Sequence, residues 1–488
     1  MTKNILKIAF ISAFTLSGLT ACDLDIAPEG KLTIDGTWEK VSDAQNYENG
    51  MFASFRGTLG STSQTAQADL FNAGADFGNN GGALHRWDFD SADGIWTANY
   101  GTIKEANNII NNIDNVATAD DEEKATVNNI KGEAYLIRAI CYHNIVIRYA
   151  KDYEASTAAS DLGLPLALTV DVNNKPVRST LQQTYDQIKS DLTEARRLLN
   201  NADAANIIKL NTYDLDLFEA RVSLYLDDYA TADKLAQNVI NSGKYPLIST
   251  QADYASMWLN DAGTEIMFQP AASTDELPPS RSVFINYSKA DETYKPFWIP
   301  SQWVIDLYGD NDIRKATFFA ERSVLEGAMT APVNVKVLNK YPGNPALKKS
   351  ADEISYYNAV KVFRVAEAYL ISAEARHRQG QDTQAQTVLN QLRAARGEEA
   401  VTATGDALFT EIKNEWIREF IGEGFRLDNL KRWHDGFKRH DPQNTDVLVS
   451  TNPESYIELS VTSDNKRWVW EIPSNDRRVN PGIVPNWQ

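Results

Sequence analysis

The sequence predicts a mainly α-helical fold: a tetratricopeptide-like scaffold of helical repeats, with long irregular loops and a few short strands. Three observations support this prediction. Apolar residues recur at spacings of three and four in several long segments, which is the period of a helix. Two pairs of these segments share a short pattern, and the segments between them are rich in Gly, Pro, Asn and aromatic residues.

The chain begins with the pattern of a lipoprotein signal peptide. Lys3 and Lys7 precede an apolar stretch, and Leu19-Thr20-Ala21-Cys22 resembles a bacterial lipobox, in which the cysteine is acylated. We therefore expect residues 1–21 to be removed and Cys22 to carry the lipid. The alternative is ordinary secretion, with Cys22 unmodified.

Residues 22–40 are predicted to be a tether, and residues 41–488 a single domain. Asp23 and Asp25 resemble the acidic tag that sends lipoproteins of Bacteroidota to the outer face of the outer membrane. No later stretch approaches the roughly 18 apolar residues of a spanning helix, so membrane attachment is expected through the lipid alone.

The helical segments follow. In one of them Ala134, Ile137, Cys141 and Ile145 share an apolar stripe, so Cys141 is expected to be a buried structural thiol. With Cys22 acylated, no second cysteine remains for an internal disulfide. The predicted helices are Thr102–Asn115, Glu122–Tyr149, Leu181–Leu199, Tyr213–Leu226, Ala230–Ile240, Val362–Arg378, Ala385–Arg396 and Leu408–Trp433.

Two helix pairs repeat a short pattern. Glu-Ala-Arg at 219–221 precedes Asp227 and an alanine at the offsets that recur from 374–376 to Asp382 and its following alanine. We expect each Asp at the turn, and small alanines that let neighbouring helices approach closely.

Residues 56–96 and 246–360 lack sustained periodicity and are predicted to be long loops, which in compact proteins are usually functional. The net charge of the chain also limits the kinds of ligand that these loops can bind. The net charge is -18, and a polyanion repels phosphate backbones, so nucleic acid is not expected as a partner.

The sequence offers little for catalysis. The five histidines show no close metal-ligand spacing, and the nucleophile-elbow and phosphate-loop patterns are absent, so no metal, cofactor or catalytic residue is predicted. Asp88, Asp90 and Asp93 leave one alternative open, a glycosidase that uses a carboxylate pair.

Several motifs resemble the SusD/RagB family. The most specific lies in Glu415–Trp433, where Arg418-Glu419-Phe420, Glu423-Gly424, Arg426 and Arg432-Trp433 match the spacing of a family helix. Further matches are Cys22–Pro28, Tyr47–Phe52, Trp96–Asn108, Pro300–Arg314, Ile472-Pro473 and Asn480-Pro481; the tail Val484-Pro485-Asn486-Trp487 departs from the family's ending.

The resemblance implies a surface-exposed lipoprotein of the outer membrane that docks on a SusC-like TonB-dependent β-barrel and delivers an oligosaccharide to it, without catalysis. A peptide ligand and a purely structural assembly protein are the alternatives within this architecture. The ligand is expected on the loop regions near 70–96 and 280–300. Aromatic rings can stack on sugar CH faces and amides can bind hydroxyls; the candidates are Asn79, Asn80, Trp87, Tyr287, Tyr294 and Trp298.

Other motif residues are expected to be structural. Glu415, Glu419, Glu423 and Arg426 recur at helical spacing, where ion pairs could join a long helix to its neighbours. Trp96 and Trp433 are expected in the core.

Overall fold

A computed structural model of the protein describes residues 37–60, 62–77, 82–90, 92–171, 173–200, 204–327, 329–449 and 456–487. The α-helices are α1 (Val41–Thr58), α2 (Thr62–Gln67), α3 (Gly82–His85), α4 (Asp93–Asn112), α5 (Asp121–Tyr149), α6 (Leu181–Leu198), α7 (Thr212–Tyr225), α8 (Tyr229–Asn241), α9 (Gln251–Asn260), α10 (Gln302–Asp306), α11 (Ile313–Phe318), α12 (Val365–Arg378), α13 (Asp382–Arg396), α14 (Gly405–Phe420), α15 (Phe425–Arg432) and α16 (Ser474–Val479).

The strands are short. They are β1 (Phe71–Ala73), β2 (Leu162–Pro165), β3 (Arg178–Thr180), β4 (Ile266–Phe268), β5 (Tyr287–Ser288), β6 (Thr293–Tyr294), β7 (Trp298–Pro300), β8 (Phe319–Val324), β9 (Val333–Leu338), β10 (Phe363–Arg364), β11 (Phe437–Lys438) and β12 (Ser460–Val461). The order β5-β6-β8-β9 forms a four-stranded sheet in which β6 and β8 are parallel, and the other described strands pair two by two. The predicted mainly α-helical fold is confirmed.

The helix pairs stack into the larger core, as the repeat pattern predicts. α7 packs on α8, α12 packs on α13, and α8 packs on α12, which joins the two pairs. Alanines at these contacts are completely buried because they leave room for the neighbouring helix. They are Ala220, Ala232, Ala236, Ala373, Ala375 and Ala385.

The two Asp residues of the repeat pattern lie at or beside the turns. Asp227 occupies the turn between α7 and α8 with a left-handed φ of 56°. Asp382 is already the first residue of α13, and its carboxylate accepts a hydrogen bond from the Gly405 amide at 2.6 Å. The pattern therefore located both turns, the second to within one residue.

Cys141 lies inside α5 with no exposed surface. Burial raises the pKa of its thiol well above the ordinary value, because the interior disfavours a thiolate. The prediction of a buried structural thiol is confirmed, as is the core position of Trp96 and Trp433, which are 2% and 8% exposed.

The predicted helix Leu408–Trp433 is two helices. α14 ends at Phe420 and α15 begins at Phe425, because Gly422 and Gly424 between them have φ of 77° and 95°. This left-handed region favours glycine. A Cβ on Gly422 would also lie only 2.7 Å from Leu338 Cδ2, so the tight break serves packing as well.

Buried ion pairs join α14 to its neighbours. Glu415 and Glu419 have no exposed side-chain surface, and the Arg314 guanidinium donates to them at 2.6 and 3.1 Å. Glu419 also accepts from Arg364 at 2.6 Å and Arg396 at 3.0 Å. The structural interpretation of these glutamates is confirmed.

These guanidiniums decide the charge of the buried carboxylates. Burial alone would raise the pKa of Glu415, but Arg314, Arg418 and Arg393 lower it to about 2. Burial likewise opposes ionisation of Glu419, whose pKa Arg396, Arg364 and Arg314 hold well below the ordinary value. Both carboxylates are therefore charged at neutral pH.

Arg426 lies beyond the break and has a different partner from the one its spacing indicates. It donates to Asp69 at 2.8 and 2.7 Å, whereas Glu423 accepts from Lys340 at 2.6 Å and Arg364 at 2.7 Å. The expectation that these four residues share one helix face is wrong, because α14 ends at Phe420, Glu423 lies in the glycine break and Arg426 belongs to α15.

Candidate functional site

The two loop regions predicted to bind ligand meet through an antiparallel strand pair. Phe71, Asn72 and Ala73 of β1 lie opposite Pro300, Ile299 and Trp298 of β7. Beside this pair the Asn72 side-chain amide donates to the Ser301 hydroxyl at 2.8 Å, and the Gly74 amide donates to the Phe297 carbonyl at 2.9 Å. Regions more than 200 residues apart thus form one surface.

Trp87 is an interior residue rather than an exposed platform. It is 4% exposed, its Nε1 donates to the Gln67 carbonyl at 2.9 Å, and its ring meets Trp468 edge-on at 4.6 Å. Its φ of 56° turns the chain so that the indole points inward. The expectation that this loop exposes the ring is corrected, because the C-terminal segment covers it.

Trp298 is also buried, with no exposed surface. Its ring lies 4.4 Å from Phe77 and 5.1 Å from His85, so the first loop region covers the second. In this conformation neither indole offers a face to a ligand. The two residues support the site from beneath instead of lining it.

Tyr287 and Tyr294 lie where a ligand could reach them. They face each other across the β5–β6 pair with ring centroids 4.9 Å apart, and both are half-buried. The Arg322 guanidinium lies 5.4 Å from the Tyr294 ring, and the Tyr356 hydroxyl accepts from the Tyr287 amide at 3.1 Å. As ligand-binding residues they stay a prediction.

Asn79, Asn80 and Cys22 lie outside the described residues. The structure describes the chain on either side of the two asparagines, at Phe77 and at Gly82. Both flanks contact the surface formed by β1 and β7, since Phe77 packs on Trp298 and α3, which Gly82 begins, carries His85 to the same indole. The assignment of the two amides stays a prediction.

Two further pairs at this surface were not predicted from the sequence. The half-buried Trp303 stacks on His440 at 5.4 Å with an interplanar angle of 18°. The half-buried Arg86 donates a hydrogen bond to the Tyr456 hydroxyl. Trp303 lies two residues after the Pro300-Ser301 motif, so the sequence carried a signal for it. His440 and Tyr456 come from a distant segment with no comparable signal.

Arg439 fixes His440 beside the first loop region. It is completely buried and donates to the carbonyls of Gln67 and Ala68 at 3.1 Å and to that of His85 at 2.5 Å. Burial lowers the pKa of Arg439 to about 9, because carbonyls rather than a contacting carboxylate surround it. Arg439 thus holds α2, α3 and the segment of His440 in one arrangement.

The acidic cluster next to Trp87 is solvated. Asp88 keeps 77% of its side chain exposed and lies 3.6 Å from Arg467, and Asp90 is exposed as well. In the described ranges no group of three His, Cys, Asp or Glu side chains is placed to hold a metal ion. None of the described helices is both long and apolar enough to cross a bilayer.

Comparisons with known proteins agree with this architecture. A sequence model of the SusD family matches residues 315–488, and a second one, described as starch-binding associating with outer membrane, matches residues 61–212. A SusD-like protein of Formosa agariphila is 24% identical, with 91% of this chain and 94% of that protein covered.

Solved structures show the same fold. A SusD superfamily protein from Bacteroides thetaiotaomicron aligns with a TM-score of 0.77 at 24% identity, over 92% of this chain and 100% of that one. A SusD-like carbohydrate binding protein from Bacteroides vulgatus aligns with a TM-score of 0.73 at 18% identity, over 91% of this chain and 98% of that one. The chain is therefore similar in sequence to the SusD family over residues 61–212 and 315–488, and it has the fold of SusD superfamily proteins.

Proposed function

We propose that the protein is a cell-surface lipoprotein that captures an oligosaccharide and delivers it to a SusC-like TonB-dependent outer-membrane transporter. The observation that supports this most is a set of three side-chain pairs on or next to the two loop regions that β1 and β7 join, which we take as the candidate surface; every member except the buried Tyr456 is half-buried or exposed. The surface comprises the Tyr287–Tyr294 pair, the Trp303–His440 pair and the Arg86–Tyr456 pair.

The chemistry of this surface fits a sugar. Flat rings present apolar faces to the CH groups of a pyranose, while the guanidinium, imidazole and hydroxyl groups can bind its hydroxyl rim. The site is built on paired strands and buried supporting residues, so little conformational entropy is lost on binding. The carbohydrate-binding relative with the same fold supports this ligand class.

Calorimetry against a panel of oligosaccharides and short peptides tests the ligand class and the site. We expect Tyr294→Ala and Trp303→Ala to weaken the best oligosaccharide by about tenfold or more, since each removes a stacking face. Phe409→Ala is the matched control, because it deletes a half-buried ring that stacks on His377 on the helical side of the molecule.

The outcomes separate the alternatives. Binding of peptides and not of glycans would favour the peptide ligand. Turnover of a labelled oligosaccharide by the purified protein, lost in Asp88→Asn or Asp90→Asn, would favour a glycosidase. Unchanged oligosaccharide affinity in both aromatic variants would refute the proposed site.

The anchor and the partner need separate tests. Cys22→Ala should leave the membrane fraction when no transporter is present, because burial of the acyl chains is the expected attachment. Retention of that variant would refute the lipoprotein proposal. Co-purification of the wild-type protein with a large β-barrel tests the proposed partner. If the protein co-purifies with a barrel but has no affinity for any ligand of the panel, a structural assembly role is favoured.

A further inference from the structure

A partly open cavity of about 130 Å³, lined about equally by polar and apolar atoms, lies between the helices and the loop segments. One wall consists of α4, α5 and α7, and the other of residues 58–60, 360–362 and 423–425. None of the three side-chain pairs of the candidate glycan surface lines it. An engineered cavity of about 150 Å³ binds benzene, which has six heavy atoms, so this cavity has room for a ligand of four or five.

The walls carry more positive than negative charge in a chain whose net charge is -18. The cationic side chains are Arg148, Arg221, Arg281 and Lys361; the anionic ones are Glu423 and Asp428. Asp428 pairs with Arg148 at 2.6 Å, and carboxylates behind the wall pair with two other cations: Glu367 with Arg221 at 2.6 Å and Asp261 with Lys361 at 2.9 Å. Basic side chains thus outnumber acidic ones in the lining by four to two, and Arg148, Arg221 and Lys361 each have a carboxylate partner.

Trp258 and Arg221 each have a hydrogen-bond donor available at the cavity. Trp258 is 1% exposed, and its indole nitrogen, which can only donate, has no partner among the described residues. Arg221 binds Glu367 through Nε and one terminal nitrogen, which leaves its second terminal nitrogen for another acceptor. A ligand that accepts hydrogen bonds would satisfy these groups.

His143 also lines the cavity and has a buried ring nitrogen without a partner in the part of the chain that the structure describes. It is 1% exposed, its Nε2 has none among the described residues, and its ring lies 4.9 Å from that of Tyr225. Burial holds the pKa of His143 well below the ordinary value, and the charges of Arg221 and Arg148 lower it further. Burial and the two arginines therefore disfavour a positive charge on this ring.

We propose that this cavity binds a small oxyanion, such as a carboxylate or sulfate, beside Arg221, Tyr225 and His143. The size of the cavity, the excess of basic over acidic side chains in its lining and the nitrogens of Trp258 and His143 that lack a partner among the described residues support this ligand class. The site is separate from the proposed glycan surface and does not depend on it. The bound anion would bridge α5 and α7 on one side to the segment around Lys361 on the other.

Crystals grown with selenate test the site directly, because selenate has the shape of sulfate and scatters anomalously. We expect an anomalous peak within hydrogen-bond distance of the Arg221 guanidinium. Density that fits only water, with no anomalous signal in the cavity, would overturn the proposal.

Titration in solution distinguishes a built site from loose association. At constant ionic strength, sulfate and acetate should raise the thermal midpoint along a saturable curve, because a ligand of the folded state stabilises it by mass action. Binding should also raise the pKa of His143, as followed by NMR, since an anion beside the ring favours imidazolium. A linear, unsaturated response would contradict the proposal.

Tyr225→Phe provides a variant that should still fold. Loss of one hydroxyl bond should weaken the anion by about threefold to tenfold and leave oligosaccharide affinity unchanged. Tyr213→Phe is the matched control, because it removes a hydroxyl from the same helix outside the cavity. Equal anion affinity in the two variants would place the anion elsewhere.

Discussion

Replacing Glu419 by Gln should be among the most damaging single changes in this protein. The carboxylate is completely buried and accepts hydrogen bonds from Arg364, Arg396, Arg314 and Tyr254. An amide of nearly the same shape keeps one acceptor oxygen but removes the charge that these guanidiniums face. Removing one partner of a buried ion pair costs about 3 to 5 kcal/mol, so we expect a loss of this size in the free energy of unfolding.

Urea unfolding followed by circular dichroism measures this loss. The matched control is Glu411→Gln on the same helix, since Glu411 is 35% exposed and reaches Arg418 only at 3.5 Å. An exposed pair contributes at most about 1 kcal/mol. Equal losses in the two variants would refute the argument that burial determines the cost.

The same variant should show a distinct pH dependence. A carboxylate whose pKa is depressed in the folded state stabilises the protein above its unfolded pKa, and this contribution is lost as pH falls through the folded pKa. Glu419 ionises in the folded state well below its ordinary 4.5. The difference in the free energy of unfolding between wild type and Glu419→Gln should therefore persist at neutral pH and become smaller below about pH 4. A constant gap down to the acid limit would contradict the assigned charge.

Three further predictions concern buried residues. Trp87→Ala should lower the free energy of unfolding by about 3 to 5 kcal/mol, as measured in urea, because it leaves a cavity beside Trp468; an unchanged midpoint would mean that the ring is exposed. Burial raises the pKa of Asp214 to about 8, so the folded state keeps a proton that the unfolded state loses near 3.8. Wild-type stability should fall as pH rises between these values, and Asp214→Asn should flatten that dependence of the urea midpoint. Cys141 should not react with a thiol reagent until denaturant is added, since its thiol is fully buried; a fast native reaction would contradict this.

Helices were predictable from the sequence because their signal is local. The periodicity of Glu122–Tyr149 gave α5 to within one residue, and the spacing of apolar residues placed Cys141 in the core. Gly422 and Gly424 were a local signal for the break between α14 and α15. The helical periodicity continues across them, however, and it predicts a single helix from Leu408 to Trp433.

The site was less predictable because burial there depends on distant parts of the chain. Composition placed Trp87 and Trp298 in loops, where an exposed ring is a reasonable expectation. Trp468 covers the first and Phe77 the second, and no spacing along the chain reveals either contact. The same holds for Arg426, whose partner Asp69 lies 357 residues earlier.

The β1–β7 pairing also has a kinetic consequence. The Asn72–Ser301 hydrogen bond beside it closes a loop of 229 residues, and contacts between such distant residues form slowly because the chain must first lose much of its freedom. Synthesis supplies β7 long after β1, so the strand pair cannot exist on a chain that ends before residue 298. An N-terminal fragment that ends before β7 should therefore lack the strand pair next to the proposed surface and be unable to compete with the full chain for the proposed ligand.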